Sequence, residues 1–309
     1  MDKRDVALRV QGVCKSFGKI RAVDDLSLEV HAGEMIGFLG PNGAGKSTTL
    51  SMIARFTRPS AGHIRIFGHD VWKDFKAAIR PVGTMVDRPA FYEYLSARKN
   101  LELVARLRGD SQPGQIETIL TRVGLASRAR DKVATYSQGM KQRLGLGMTL
   151  LGKPKLLILD EPTNGMDPEG TREIMRFLRE QIKHHSLAVF ISSHLLSEVE
   201  AFCDRVCVIN RGRLIASGKV QDILAPRDNV IHVTLKDRSV PTESLLQEAS
   251  IERIEHLSQH SLEVTLKDRD GTWLNTLLVN RGYPVSSLTP KHMTLREFFL
   301  TITGGDHHE

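Results

Sequence analysis

The residues of this chain whose types and spacing can do chemistry begin at position 40. Gly40, Pro41, Asn42, Gly43, Ala44, Gly45, Lys46 and Ser47 fit the pattern G-x-x-x-x-G-K-[ST] without deviation, and Thr48 follows. Glycines at these places let successive backbone N–H groups turn inward as a nest for phosphate oxygens. Lys46 supplies a point charge for the outer phosphates, and the Ser47 hydroxyl is an oxygen ligand suited to magnesium. A second constellation is the adjacent acid pair Asp160 and Glu161, at the end of the apolar run that starts at Lys155. Asp160 suits holding magnesium through its water shell, and Glu161 suits polarising an attacking water as general base. Glycine-rich turns also precede ordinary helices, and acid pairs also end exposed strands. A lysine and a serine in register after the last glycine, with an acid pair in the same chain, favour phosphate chemistry.

These side chains work only if particular elements position them. Glu34–Leu39 is a short apolar run, expected as a buried strand. After Ser47, residues Leu50, Ile53 and Ala54 share one helical face. Strand, glycine loop, helix is the setting a phosphate loop needs, and the helix N-terminus adds partial positive charge. The run ending at Asp160 reads as a second buried strand, whose carboxyl end faces the ligand crevice of an open α/β sheet. Tyr136-Ser-Gln-Gly-Met140 opens an amphipathic segment reaching Leu151. There Ser137 and Gly139 read as a helix start that offers a hydroxyl and a small residue to an anion.

With 309 residues the chain has room for about two domains. Hydrophobic content of 40% and charged content of 26% exclude a disordered or fibrous class. No apolar run approaches the ~20 residues of a membrane-spanning helix. The first five residues lack a hydrophobic core behind their charges, so a soluble, intracellular chain is expected. Three cysteines make no disulfide framework, and Cys203 and Cys207 read as small apolar residues entering a strand rather than as zinc ligands.

The net charge of +7 is unevenly spread. With a boundary placed near Asp228, residues 1–228 carry 35 bases and 25 acids, while residues 229–309 carry 8 bases and 11 acids. Residues 88–155 alone hold 13 bases and 5 acids. A basic excess permits nucleic acid, an anionic membrane surface or phosphate ligands, and charge alone does not choose among them.

Together these motifs resemble the ATP-binding cassette (ABC) ATPases, over roughly residues 6–225. The resemblance implies an α/β P-loop fold with a mostly parallel core sheet, an antiparallel β-subdomain and a helical subdomain at about residues 88–155. ATP and Mg²⁺ are the expected cofactors, with Ser47, Asp160 and Asp87 toward the metal. Ser137 and Gly139 would belong to the signature loop that closes over ATP held by a second nucleotide-binding subunit. Gln138 and Met140 depart from the usual signature. Asp167 would be the acid of the D-loop, His194 the switch histidine that orients the water, and Phe17 the aromatic that stacks on adenine. Asp87 stands where the family places a glutamine. Being a carboxylate, it can approach a metal but cannot donate an amide hydrogen bond. Phe91, Tyr92 and Tyr94 would line the groove that receives a transmembrane subunit, or else pack in the core.

Beyond position 228 the alternation in Ile231–Leu235 and Leu262–Leu266 reads as strands. Leu274–Asn280 reads as a helix, and Thr294–Glu297 as a capping box before a terminal helix. A small accessory α/β domain is expected at 229–309. Its ending resembles the cassette subunits of ABC-2-type exporters of drugs and antibiotics. The chain is thus expected to be the ATP-hydrolysing subunit of such an exporter, with no nucleic acid as partner, working as a dimer on the cytoplasmic face of the inner membrane and bound to ABC-2-like permease subunits. A soluble cassette protein of the ribosome or of DNA repair is the alternative. The single phosphate loop argues against the first, and the 91 residues from Lys46 to Ser137 leave no room for the coiled coil of the second. A P-loop kinase or GTPase leaves Ser137, Gly139 and His194 unexplained. The tail pair His307 and His308 reads as a frayed terminus.

Overall fold

The computed structural model describes residues 5–87, 89–109, 112–236 and 245–303. His307 and His308 therefore lie outside the described residues. Three sheets organise the chain. The first is antiparallel, formed by β1 (Val6–Phe17), β2 (Ile20–His31), β4 (Ala61–Ile66) and β5 (His69–Asp70), in the order β2-β1-β4-β5. The second contains β3 (Met35–Leu39), β6 (Val82–Met85), β7 (Leu156–Asp160), β8 (Ala188–Ser192), β9 (Arg205–Asn210) and β10 (Arg213–Lys219). Its order is β10-β9-β3-β8-β7-β6, and every pair except β10 with β9 is parallel.

The parallel strands are short apolar runs because both their faces are covered. All five residues of β3 and of β8 are buried, as are the first four of β7. Phe38 and Phe190 pack with ring centroids 5.2 Å apart at the middle of this core. The order β3-β8-β7 puts the carboxyl ends of the three strands side by side, and each leads into a motif singled out in the sequence.

Between β6 and β7 the chain is helical, with its own apolar cluster around Leu101, Leu120 and Leu144. Helix Ala97–Arg108 is N-capped by Ser96, whose hydroxyl accepts from Lys99 N. Gln115–Arg122 and Gln138–Thr149 complete the group. Phe91 packs against this cluster, whereas Tyr92 and Tyr94 are exposed and meet edge to face with centroids 6.0 Å apart. The three aromatics thus divide between core and surface. Much of the local positive charge is paired: Arg98 with Glu117, Lys99 with Glu102, Arg128 with Asp131, Lys141 with Glu93 and Arg143 with Glu173.

A second compact unit spans Gln221–Phe298, while the described residues before Gln221 and residues 299–303 form the first. The contact boundary falls at Gln221, a few residues before the position near Asp228 expected from the sequence, and residues 299–303 group with the first unit. The reason is that Pro226, expected in a linker, is the first residue of strand β11 (Pro226–Leu235), a position where proline is tolerated. The antiparallel sheet of this unit has the order β12-β13-β11-β14, with β12 (Ile251–His256), β13 (Ser261–Leu266) and β14 (Val285–His292). Strands β12 and β14 were not expected from the alternation pattern. Helix Gly271–Asn280, N-capped by Asp270, contributes Leu274 and Leu278 to a core with Ile231, Val233, Leu262 and Val264. The capping box forms: Glu297 N donates to Thr294 Oγ1 at 3.2 Å, and Thr294 N to Glu297 Oε2 at 2.9 Å.

Candidate active site

The loop from Gly40 to Gly45 joins β3 to the helix Lys46–Ile53. Gly45 is its N-cap, at φ 105°, and a Cβ there would stand 2.5 Å from the Ala22 carbonyl oxygen. No residue with a side chain fits both conditions. Lys46 is buried, its Nζ donating to the carbonyls of Gly40 at 2.7 Å and Pro41 at 3.2 Å. Burial pushes this ammonium below its usual range, and the nearby carboxylates of Glu161 and Asp160 partly offset that. The loop thus holds its cation inside the curl of its own backbone, on the side of the acids.

The acids come from the end of β7. Asp160 pairs in register with Ser192 of β8, and the Ser192 hydroxyl donates to Asp160 Oδ1. One residue on, Glu161 turns into the left-handed region at φ 46°, a conformation that a side chain adopts only when its surroundings impose it. The imposing contacts are present. Glu161 N donates to the Ser192 hydroxyl at 3.0 Å and lies 3.2 Å from the Ser192 carbonyl oxygen. The Glu161 carbonyl accepts from Asn164 N at 3.1 Å and from Gln142 Nε2 at 3.3 Å. The side chain is then aimed at the switch strand, where Glu161 Oε2 sits 2.7 Å from His194 Nδ1.

A cleft of about 450 Å³ gathers Ser47, Asp87, Asp160 and Glu161, together with Gln138, Gln142, Asn164 and Gly165. One hydroxyl and carboxylates are the oxygen donors a magnesium ion takes. Among the described residues no group of three or more His, Cys, Asp or Glu is placed to hold a metal. Glu198 lies deeper. It is buried, its Oε2 accepting from Thr163 Oγ1 at 3.0 Å and Ser193 Oγ at 3.3 Å. Burial pushes its carboxyl up, against the opposing pull of those hydroxyls and of His194.

This combination of phosphate loop, acid pair and histidine has counterparts in known proteins. The family model described as ABC transporter matches residues 23–164. An uncharacterized ABC transporter ATP-binding protein of Bacillus subtilis (strain 168), YhcH, is 36% identical over 302 residues, covering 98% of this chain and 97% of that protein. The chain belongs to the ABC transporter ATP-binding proteins. The bacitracin transport ATP-binding protein BcrA of Bacillus licheniformis is 35% identical over 298 residues, covering 96% of this chain and 97% of that protein. A solved ATP-binding subunit of an ABC transporter matches with a TM-score of 0.65 at 30% identity, over 70% of this chain and 91% of that one.

As an ABC-type ATPase, the chain binds and hydrolyses ATP, and its fold is the one the motifs imply. The remaining family positions are dispersed. Ser137 is exposed and N-caps the helix Gln138–Thr149, its hydroxyl accepting from Met140 N at 3.3 Å. A Cβ on Gly139 would meet nothing closer than 3.8 Å, so nothing inside one chain requires glycine there. Asp167 N-caps Pro168–His185, its carboxylate accepting from Gly170 N at 3.2 Å. Neither Ser137, Gly139 nor Asp167 is among the residues lining the cleft. Phe17, half exposed, ends β1 with Lys15 Nζ 4.9 Å from its ring centroid. It pairs with Ile20 at the start of β2, the strand that meets Gly45 through Ala22.

Ser192, Asn164, Gln142 and Glu198 escaped the reading of motifs. Ser192 was within reach, as the last residue of an apolar strand two before His194. Gln142 had a weaker signal: it shares a buried helical face with Gly145 and Thr149, where a polar residue needs a partner.

Proposed function

We propose that this chain is the ATP-hydrolysing subunit of an ABC-2-type exporter and works as a head-to-tail dimer around two molecules of ATP. Each phosphate loop, with Lys46 and the N–H groups through Thr48, binds one ATP, and Phe17 stacks on the adenine. Ser47 and Asp160 hold the magnesium that accompanies the phosphates, with Asp87 the third oxygen ligand of the cleft. The ion supplies charge neutralisation on the phosphates. Glu161 takes a proton from the attacking water, and His194 fixes the orientation of that carboxylate.

The observation that carries this reading is the contact of His194 with Glu161, a carboxylate that lines one cleft with Ser47 and Asp160. The exposure of Ser137 and the open space at Gly139 support a partner subunit, because one chain makes no use of either as a ligand site. Pairing would bring Ser137, Gly139 and Asp167 to the ATP of the opposite subunit. Full-length likeness to a bacitracin transport ATP-binding protein supports transport over a ribosomal or nucleic-acid role. Among the described residues no helix is long and apolar enough to cross a membrane, so separate transmembrane subunits would carry the substrate and hold this one at the membrane. Purification from solubilised membranes tests the assignment. An ABC-2-like permease should accompany the chain in stoichiometric amount, and ribosomes or DNA in its place would contradict it.

A further inference from the structure

Gln142 is a polar side chain in an expensive position. Only 7% of the residue is exposed, yet it lines the cleft that holds Ser47, Asp87, Asp160 and Glu161. Its Nε2 donates to the Glu161 carbonyl at 3.3 Å, while its Oε1 is buried with no hydrogen-bond partner. The amide cannot be turned round to repair this. A carbonyl only accepts, so the nitrogen must face Glu161 and the oxygen must be left over. Buried acceptors without a donor are rare, because each forfeits its hydration for nothing.

The contact on the other end of the amide is equally specific. Glu161 occupies the left-handed region, with its N–H held by Ser192 and its C=O by Asn164 N and Gln142. Gln142 is therefore one of the groups that fix the peptide from which the general base projects. It also sits on the helix Gln138–Thr149, whose N-cap is Ser137. Asp87, at the place where a glutamine amide was expected, has no N–H to offer from its side chain.

We infer that Gln142 is a positioning residue of ATP hydrolysis: its amide N–H locks the Glu161 peptide, and its amide oxygen accepts a hydrogen bond from the water that Glu161 polarises. The inference rests on Glu161 being the general base. It also makes one helix responsible both for the Ser137 end that faces a partner subunit and for the geometry of the base. Engagement of the signature would then be felt at Glu161 through a single rigid element.

Steady-state ATPase kinetics of the full chain test this with Gln142→Leu, Gln142→Glu and Glu161→Gln. Gln142→Leu should lower kcat about tenfold, the scale of one lost hydrogen bond in the transition state, with KM for ATP within about twofold of wild type. Gln142→Glu keeps the volume and should be slow at neutral pH. It should recover as pH falls, because a protonated carboxyl again offers one donor and one acceptor. Thermal melts over the same pH range separate this from a purely structural role, in which kcat would recover only in step with stability, whereas here kcat should recover while the melting temperature stays level. A kcat for Gln142→Leu within twofold of wild type, or no acid recovery of Gln142→Glu, would overturn the inference. If Glu161→Gln is inactive while Gln142→Leu matches wild type, only Gln142 is misassigned. If Glu161→Gln turns over normally, the general base itself is misassigned.

Discussion

His194 Nδ1 lies 2.7 Å from Glu161 Oε2, a contact between the ends of neighbouring parallel strands 33 residues apart. Half of the His194 side chain remains exposed, against about a quarter of Glu161. The histidine is thus a lid on the carboxylate and not a core residue satisfied by it. His194→Ala should lower kcat by about ten- to a hundredfold, within the range of acid–base contributions, while leaving ATP affinity nearly unchanged. Single-turnover phosphate release and calorimetric titration with a non-hydrolysed ATP analogue separate the two.

Asp87 shares the cleft with Ser47 and Asp160, and its backbone is held at φ 67°. A carboxylate there should raise the affinity for magnesium. Asp87→Ala should therefore shift half-maximal activation to higher magnesium by severalfold, with a change in kcat of about tenfold or less. A magnesium titration of ATPase activity with an unchanged midpoint would remove Asp87 from the metal's surroundings.

Two glycines should answer alanine substitution in opposite ways. At Gly45 a Cβ would strike the Ala22 carbonyl at 2.5 Å in a backbone at φ 105°, so Gly45→Ala should cost about 2 kcal/mol or more. At Gly139 the nearest neighbour is 3.8 Å away, so the single chain should keep its melting temperature within about 1 °C. If the head-to-tail dimer proposed above is right, Gly139→Ala should instead weaken ATP-dependent association, because the added methyl would meet the partner's nucleotide. Thermal melts and sedimentation velocity with ATP read both effects.

Glu198 sets a pH dependence of stability with an unusual sign. Its folded-state affinity for a proton is raised by burial above the ordinary value of 4.5. As pH climbs past that value, the unfolded chain releases this proton before the folded one does, and folding loses stability until the folded carboxyl also ionises. A depressed carboxylate would do the reverse. Glu198→Gln, neutral at every pH, should melt higher than wild type at pH 8, and the difference should shrink toward pH 4.5. Calorimetric melts across that range check it.

The strand, loop and helix around the phosphate-loop motif were legible because the motif is local: Gly45, Lys46 and Ser47 are adjacent in sequence, at the junction of β3 and its helix. Asp160, Glu161 and His194 could be singled out because each stands at, or within two residues of, the carboxyl end of a short buried strand. Gln142 was hidden since its partner is 19 residues away, and only the tertiary packing of its helix, which lies against β6, brings the two together. Ser137 and Asp167 were read as ligands to nucleotide. In one chain both serve as helix caps, a use their residue types also predict. The contact boundary at Gln221 lies a few residues before Asp228, since a proline that opens a strand looks the same in sequence as one in a linker. Strand β12 was missed because its outward face is largely exposed and its apolar positions do not alternate cleanly.

Formation of an ATP-bound dimer by Glu161→Gln is the most direct measurement. With ATP and magnesium, the variant should sediment as a stable dimer containing two unhydrolysed ATP per pair, with phosphate release reduced by about a hundredfold or more. Wild type should return to monomers as ATP is consumed. A Glu161→Gln chain that stays monomeric with ATP, or that releases phosphate at the wild-type rate, would contradict both the assignment of the base and the head-to-tail assembly built on it.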